Sequence, residues 1–103
     1  MLIARLSVTS SQTDTELVAA PAAGDRIEIL GLFIMSDGSN DILFYADDGT
    51  TLLHRQKTSA ASTTTLPPGS QPWDKLPAGE NLTVTSTSNV KMFIKVMYQV
   101  VSV

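Results

Sequence analysis

The sequence predicts an all-β protein, a single antiparallel β-sandwich with a jelly-roll-like or Greek-key arrangement of about seven to nine strands. Three observations predict this fold class. Apolar residues alternate at period two in several segments, turn residues recur about every eight to twelve positions, and no segment has helical periodicity. The length of 103 residues fits one domain, residues 1–103, with a single core.

The clearest alternation lies in residues 90–101, which we predict to be a long central strand. Every second residue from Val90 to Val100 is apolar or amphipathic and is expected to face the core. The intervening positions include Phe93, Met97 and Val101 beside two lysines and a glutamine. An apolar second face of this kind is typical of a surface covered by another subunit, or by a loop of the same chain.

Residues 26–36 form the second strong strand prediction, and both of its faces are apolar for most of its length. One face is expected to hold Ile27, Ile29, Gly31, Phe33 and Met35, and the other Leu30, Leu32 and Ile34. The glycine suggests a bend, a bulge or the close approach of another backbone. Two strands each have two apolar faces, and one domain core can bury only one face of each. We therefore predict that subunit contacts include the residues Leu30, Leu32, Ile34, Phe93, Met97 and Val101.

The other elements are shorter. Strands are predicted at residues 2–8, 16–20, 42–46, 51–56 and 81–87. Hairpin turns are predicted at residues 37–40 and 47–50, so residues 26–56 are expected to form an antiparallel meander. Residues 57–72 are predicted to be one long loop with a short edge strand near residues 63–66. Trp73, at the end of this loop, is expected to anchor it to the sandwich.

Composition argues against several function classes. The net charge of −3 is unfavourable for a nucleic-acid partner, which would need a basic face. No apolar run approaches the roughly 20 residues that span a membrane, so no membrane partner is expected. The chain has no cysteine and a single histidine, His54, and it lacks a Gly-x-Ser-x-Gly motif. We therefore predict no enzyme activity, no catalytic residues, no cofactor and no metal.

Two binding sites are weighed as alternatives. Residues 37–41 place oxygen ligands at alternate positions, which would suit a hard cation such as calcium, although ordinary turn chemistry explains the same residues. Trp73, Tyr45 and Tyr98 are candidates for stacking on a sugar, but the aromatic residues do not recur at a spacing that makes a platform.

Four features of the chain form one pattern: Gly24-Asp25-Arg26-Ile27-Glu28-Ile29-Leu30-Gly31, the Pro/Gly loop leading to Trp73, Pro77-Ala78-Gly79-Glu80-Asn81-Leu82 and the long final strand. This pattern resembles that of small trimeric β-sandwich decoration, or cement, proteins of tailed bacteriophage capsids. The resemblance covers most of the chain and includes no diagnostic motif. A related layout also occurs in phage tail and fibre proteins.

The resemblance implies a virion structural protein on the capsid surface, made in the host cytoplasm. It implies a homo-oligomer, a trimer, that binds the major capsid protein and stabilises contacts between capsomers. The N-terminal strand and residues 57–65 are the candidates for touching the capsid. The alternatives are a phage tail or fibre component and a carbohydrate-binding β-sandwich module.

Overall fold

The computed structural model describes residues 1–69 and 71–103, which fold into strands and turns without any helix. They form nine strands: β1 (Leu2–Val8), β2 (Gln12–Val18), β3 (Asp25–Ser36), β4 (Asn40–Ala46), β5 (Thr51–Thr58), β6 (Ser62–Leu66), β7 (Asp74–Lys75), β8 (Leu82–Ser86) and β9 (Met92–Ser102). This part of the chain accordingly offers no long apolar helix that could cross a membrane. The predicted all-β class is confirmed.

The strands make two antiparallel sheets packed as a sandwich. The five-stranded sheet has the order β1–β9–β3–β6, with β7 also beside β3, and the four-stranded sheet has the order β2–β8–β4–β5. The pairs β1–β9, β2–β8, β3–β6 and β4–β5 nest inside one another like the two arms of one long hairpin. Rolling that hairpin brings β9 beside β3 and β8 beside β4. This connectivity is that of a jelly roll, as predicted.

One apolar core lies between the two sheets, because alternate side chains of both sheets point inward. Its buried members are Val18, Ile27, Ile29, Leu32, Ile34, Ile42, Phe44, Ala46, Leu76, Leu82, Val84, Met92, Ile94 and Val96. On β9 the even-numbered residues from Met92 to Val96 face this core, as the alternation predicts. Towards the end of β9 the same face opens to solvent, and Val100 is 40% exposed.

A bulge in β3 changes which residues face the core. Ile29 pairs with Tyr98 and Gly31 pairs with Met97, so Leu30 is an extra residue with no partner on β9. Because of this insertion, Ile27 and Ile29 face the core before the bulge, whereas Leu32 and Ile34 face it afterwards. The prediction of one unbroken alternation through residues 26–36 is therefore wrong.

The predicted meander is also wrong, because β3 and β4 belong to different sheets. Side chains rather than a hairpin ladder satisfy the connection at residues 37–39. The Ser36 and Thr58 hydroxyls both donate to the carbonyl of Gly38, and the Asn40 amide oxygen accepts from the backbone N–H groups of Asp41 and Ser88. These bonds let the chain cross from one sheet to the other. The second predicted turn, at residues 47–50, does close the β4–β5 hairpin.

Two strand boundaries differ from the predicted ones for the same physical reason. β5 continues to Thr58 and β6 follows at Ser62–Leu66, so the predicted loop over residues 57–72 is partly strand, and the expected edge strand is present. β2 begins at Gln12, four residues before the strand predicted at residues 16–20. Both segments are polar because they lie at sheet edges, where the backbone pairs while many side chains remain in water.

Candidate interaction surface

The face of the five-stranded sheet that points away from the core carries a cluster of apolar side chains, which we call the outer patch. It consists of Ile3, Phe33, Met35, Phe93 and Met97. Cross-strand pairing brings its members together, since Met35 lies opposite Phe93 and Ile3 lies opposite Met97. The three strands β1, β9 and β3 thus bring apolar side chains together on the outside of the sandwich.

Most of the outer patch remains partly open to solvent. Ile3 is 41% exposed, and Phe33, Met35 and Phe93 are half-buried. The rings of Phe33 and Phe93 meet edge to face, with centroids 6.1 Å apart and an interplanar angle of 64°. This geometry is favourable for an aromatic pair and holds both rings in place on the surface. The outer patch is therefore an ordered, partly exposed apolar surface.

Met97 is the exception, because its own chain covers it. A Cβ atom at Gly31 would lie 2.8 Å from Met97 Cε and 3.0 Å from both Leu66 O and Pro68 N. The missing side chain of Gly31 therefore lets the methionine and the backbone after β6 close over the sheet. Met97 is only 8% exposed as a result. The close backbone approach that the sequence suggests at Gly31 is present.

The six predicted contact residues fall into three groups. Phe93 and Met97 belong to the outer patch, and Val101 is half-buried further along the same face of β9. Leu30 is half-buried at the bulge. Leu32 and Ile34 were predicted to face away from the core, and this prediction is wrong. Because of the bulge, both side chains lie in the core between the two sheets. Phe33 and Met35 occupy the outward positions instead.

Two basic residues sit within the outer patch. Arg5 on β1 and Lys95 on β9 are directly opposite each other, and Phe33 flanks Lys95 on its other side. Like charges placed directly opposite destabilise a strand pair. The ion pairs found among the described residues are Arg26–Glu28 and Arg55–Asp41, and neither involves this basic pair. The surface is thus apolar and basic on an acidic protein.

Beyond the bulge, the same sheet face becomes polar. Glu28 accepts hydrogen bonds from Gln99 Nε2 at 2.9 Å and from Arg26 Nε at 3.2 Å. The pKa of the Glu28 carboxyl lies below its ordinary value, first because of the Gln99 hydrogen bond and then because of Arg26 and the charge of Lys75, while desolvation acts in the opposite direction. The polar side chains at this end of the sheet face therefore hydrogen-bond to one another.

Trp73 lies at the end of the loop that follows β6. Its backbone N–H donates to the carbonyl of Ile29 at 2.7 Å, and its indole Nε1 donates to the carbonyl of Pro67 at 3.0 Å. The first bond joins the loop to β3 beside the bulge, and the second closes the loop on itself. Trp73 nevertheless remains 54% exposed. The role of Trp73 as the loop anchor stays a prediction that these two bonds favour.

On the outside of the other sheet, a polar network joins three elements. The amide nitrogen of Asn81 donates to Glu16 of β2 at 2.9 Å and to Asp48 of the β4–β5 turn at 2.7 Å. The N–H of Asp48 donates back to the Asn81 amide oxygen. Asp47, Asp48 and Gly49 have positive φ values of 55°, 50° and 90°, so three of the four residues that join β4 to β5 are in the left-handed region. Asn81 thus fixes the turn against β8 and β2.

Two of the candidate cation ligands in residues 37–41, Asn40 and Asp41, make internal contacts through their side chains. Arg55 forms a two-pronged pair with the Asp41 carboxylate, with Nε–Oδ1 at 2.8 Å and Nη2–Oδ2 at 2.6 Å. The hydrogen bond from Arg55 lowers the pKa of Asp41, and the charge of Lys57 acts in the same direction. Residues 1–69 and 71–103 contain no cluster of three acidic or histidine side chains with the geometry of a metal site.

The remaining candidate residues are dispersed. His54 lies opposite Phe44 on β5, its ring 5.9 Å from the phenyl ring, with Nε2 buried and without a hydrogen-bond partner. Tyr45 lies opposite Thr83 in the four-stranded sheet, and Tyr98 packs against the core from the five-stranded sheet. Trp73 lies in the loop after β6. The described residues therefore do not bring the three candidate sugar-stacking rings onto one surface.

Comparison with protein-family models, with curated proteins and with solved structures finds no match for this chain. The jelly-roll topology and the outer patch are therefore the observations from which a function can be argued.

Proposed function

We propose that the protein is a virion structural protein, a capsid decoration protein that assembles as an oligomer through its outer patch and stabilises contacts between capsomers. The observation that carries this proposal is the apolar outer patch, since a surface of this kind is typically covered by a partner. The fold is compatible with the proposal, because jelly rolls are common among viral capsid proteins as well as lectins. Fold alone does not define function, whereas an exposed apolar surface indicates a binding partner.

The charges of the outer patch favour a ring over a two-fold dimer. In a two-fold dimer the same surface meets itself, which would bring the Arg5–Lys95 pairs of two copies towards each other. In a ring, the patch of one copy meets a different surface of the next copy, and acidic side chains can then lie against the basic pair. A trimer is the ring that the resemblance to decoration proteins implies.

An oligomer can bind the capsid firmly even when the contact made by each subunit is weak. Each subunit of a ring presents one copy of every capsid-binding element, so several weak contacts form at once and raise the overall affinity. The N-terminal strand and residues 57–65 remain the candidate capsid-binding elements. The mechanism needs no bond-making step and no cofactor.

The location in the virion can be tested directly by immunogold electron microscopy with antibodies raised against the purified protein. The specimens are virions of the phage, or of the induced prophage, whose genome encodes the chain. Gold over the head supports the decoration role. Gold confined to the tail or fibres would establish the alternative structural role, and intact virions without any label would overturn both.

A carbohydrate-binding module is the second candidate, and Trp73 is the observation that favours it. This residue is 54% exposed on a loop held by two hydrogen bonds. A glycan array probed with the wild-type protein and with W73A tests this candidate. Saturable binding that W73A abolishes would favour the module over the structural protein.

A further inference from the structure

The edge formed by β6 differs from the three other sheet edges of the sandwich. An edge strand presents unpaired N–H and C=O groups, and proteins usually protect such edges with charges, bulges or prolines. β6 runs Ser62-Thr63-Thr64-Thr65-Leu66, pairs with β3 in an unbroken register, and meets no other strand on its far side among the residues described. It contains no charged residue, no proline and no bulge.

The other three edges are protected. β1 carries Arg5 at its centre. β2 carries Asp14 and Glu16 and has two register shifts against β8. β5 carries Arg55 and Lys57 and is interrupted by a bulge. These devices oppose the addition of a further strand at each of the three edges, which leaves β6 as the open one.

We propose that β6 is a self-association edge, on which β6 of a second copy pairs antiparallel about a two-fold axis at Thr64. Such pairing places Thr63 opposite Thr65 of the second copy, Thr64 opposite its own counterpart and Ser62 opposite Leu66. Cross-strand threonine pairs are favourable, and no like charges meet. Self-pairing of β1 would instead oppose two copies of Arg5, and self-pairing of β2 would oppose Asp14 and Glu16.

The β6 contact would link oligomers rather than build them. Two five-residue edges bury little surface, so the pairing is weak and forms at high protein concentration or when copies are held close together. It uses the edge of the five-stranded sheet, whereas the outer patch lies on its face. The inference therefore does not rest on the proposed virion function, and either one can fail alone.

Charge substitutions at the two outward-facing threonines give a matched test. In T63K/T65K, each introduced lysine opposes one lysine of the second copy, which gives two like-charge pairs per contact, whereas in T63K/T65E each lysine opposes a glutamate. Both variants change the same exposed positions. Sedimentation velocity over a wide range of protein concentration should show concentration-dependent doubling of the wild-type species. T63K/T65K should weaken that step about tenfold or more, and T63K/T65E should retain it.

A cross-link gives a second readout that detects weak pairing. The chain has no cysteine, so T64C introduces a single thiol. Opposed residues in an antiparallel pair have Cα atoms about 4.5–5.5 Å apart, which a disulfide can span. T64C should form a covalent dimer under mild oxidation much faster than T13C on the protected β2 edge.

Three results would overturn the inference: a wild-type species that does not double, equal self-association of the two charge variants, or equal cross-linking of T64C and T13C. A trimer that persists in T63K/T65K while doubling is lost would support the β6 contact independently of the outer patch. A protein that doubles through β6 but never forms a trimer would contradict the proposed assembly alone.

Discussion

Gly31 is the glycine at which adding a single methyl group should lower the stability of the fold most. G31A places its Cβ within 3.0 Å of backbone atoms of Leu66 and Pro68, and backbone cannot move as easily as the end of a side chain. We expect G31A to lower the free energy of unfolding by about 1–3 kcal/mol, the usual cost of overpacking. Chemical denaturation of the two proteins measures the difference.

The matched control for this substitution is G69A, in the same loop region. A Cβ at Gly69 would meet no atom within 4 Å, so G69A should leave stability nearly unchanged. If G31A proved as stable as G69A, the close approach of the loop to β3 would be contradicted.

Glu28 should make stability depend on acidity. Because its folded-state pKa is lowered from the ordinary value of 4.5, the ionised group stabilises the fold above that value, and this contribution is lost as pH falls through the lowered folded-state pKa. The stability difference between wild type and E28Q should therefore be largest above about pH 4.5 and should shrink below it. Thermal unfolding across a pH series measures it.

The cause of the lowered pKa can be tested separately by NMR titration of the Glu28 carboxyl carbon. Q99A removes the hydrogen bond that contributes most, so the pKa of Glu28 should rise clearly. K75Q removes a more distant charge, the smallest contribution, and should raise the pKa less. An unchanged pKa in Q99A would contradict the assignment.

At the scale of elements, Asn81 ties three parts of the four-stranded sheet together. N81A removes the bonds to Glu16, to Asp48 Oδ1 and from the Asp48 N–H, so it should destabilise the fold by about 1–3 kcal/mol. N89A removes one exposed bond from the Ser11 N–H and should cost less. Parallel thermal unfolding of both variants compares them, and equal losses would show that the Asn81 network contributes little.

The strands themselves could be predicted from alternation, whereas their partners could not. Residues 90–101 alternate clearly, and β9 lies at Met92–Ser102. Gly31 suggested a bend or a bulge, and the bulge lies beside it. Because nearly every side chain in residues 27–35 is apolar, however, the sequence does not show which of them face the core on either side of the bulge. Pairing is a property of distant residues: β3 contacts β9 and β6 rather than β4, and turn residues alone suggested a hairpin.

The candidate surface was predictable for β9 and only partly for β3. Phe93 and Met97 were found because lysines interrupt an otherwise apolar face. Leu32 and Ile34 were misplaced by the bulge, and Phe33 and Met35 were missed for the same reason. Ile3 and Arg5 were missed because a strand partner cannot be read from β1 alone. An apolar residue on the outside of a sheet carries no local signal that separates it from a core residue.

For the whole molecule, the jelly roll explains why the outer patch exists at all. Rolling the long hairpin places β9 at the centre of the five-stranded sheet, between β1 and β3, so the outward side chains of three strands converge. One face of this sheet packs on the core, and the other carries Phe33, Met35 and Phe93. A lone sandwich would be expected to keep that face polar. We therefore propose that a neighbouring subunit covers this face.

The most direct measurement is the mass in dilute solution, by light scattering behind size exclusion, for wild type, F93D and L52D. Leu52 is 52% exposed on the other sheet, which makes L52D the control for adding a charge to an apolar surface residue. Wild type and L52D should have about three times the 11.0 kDa of one chain, and F93D should be a monomer. A wild-type monomer at every concentration, or an F93D variant that keeps the mass of wild type, would contradict the account.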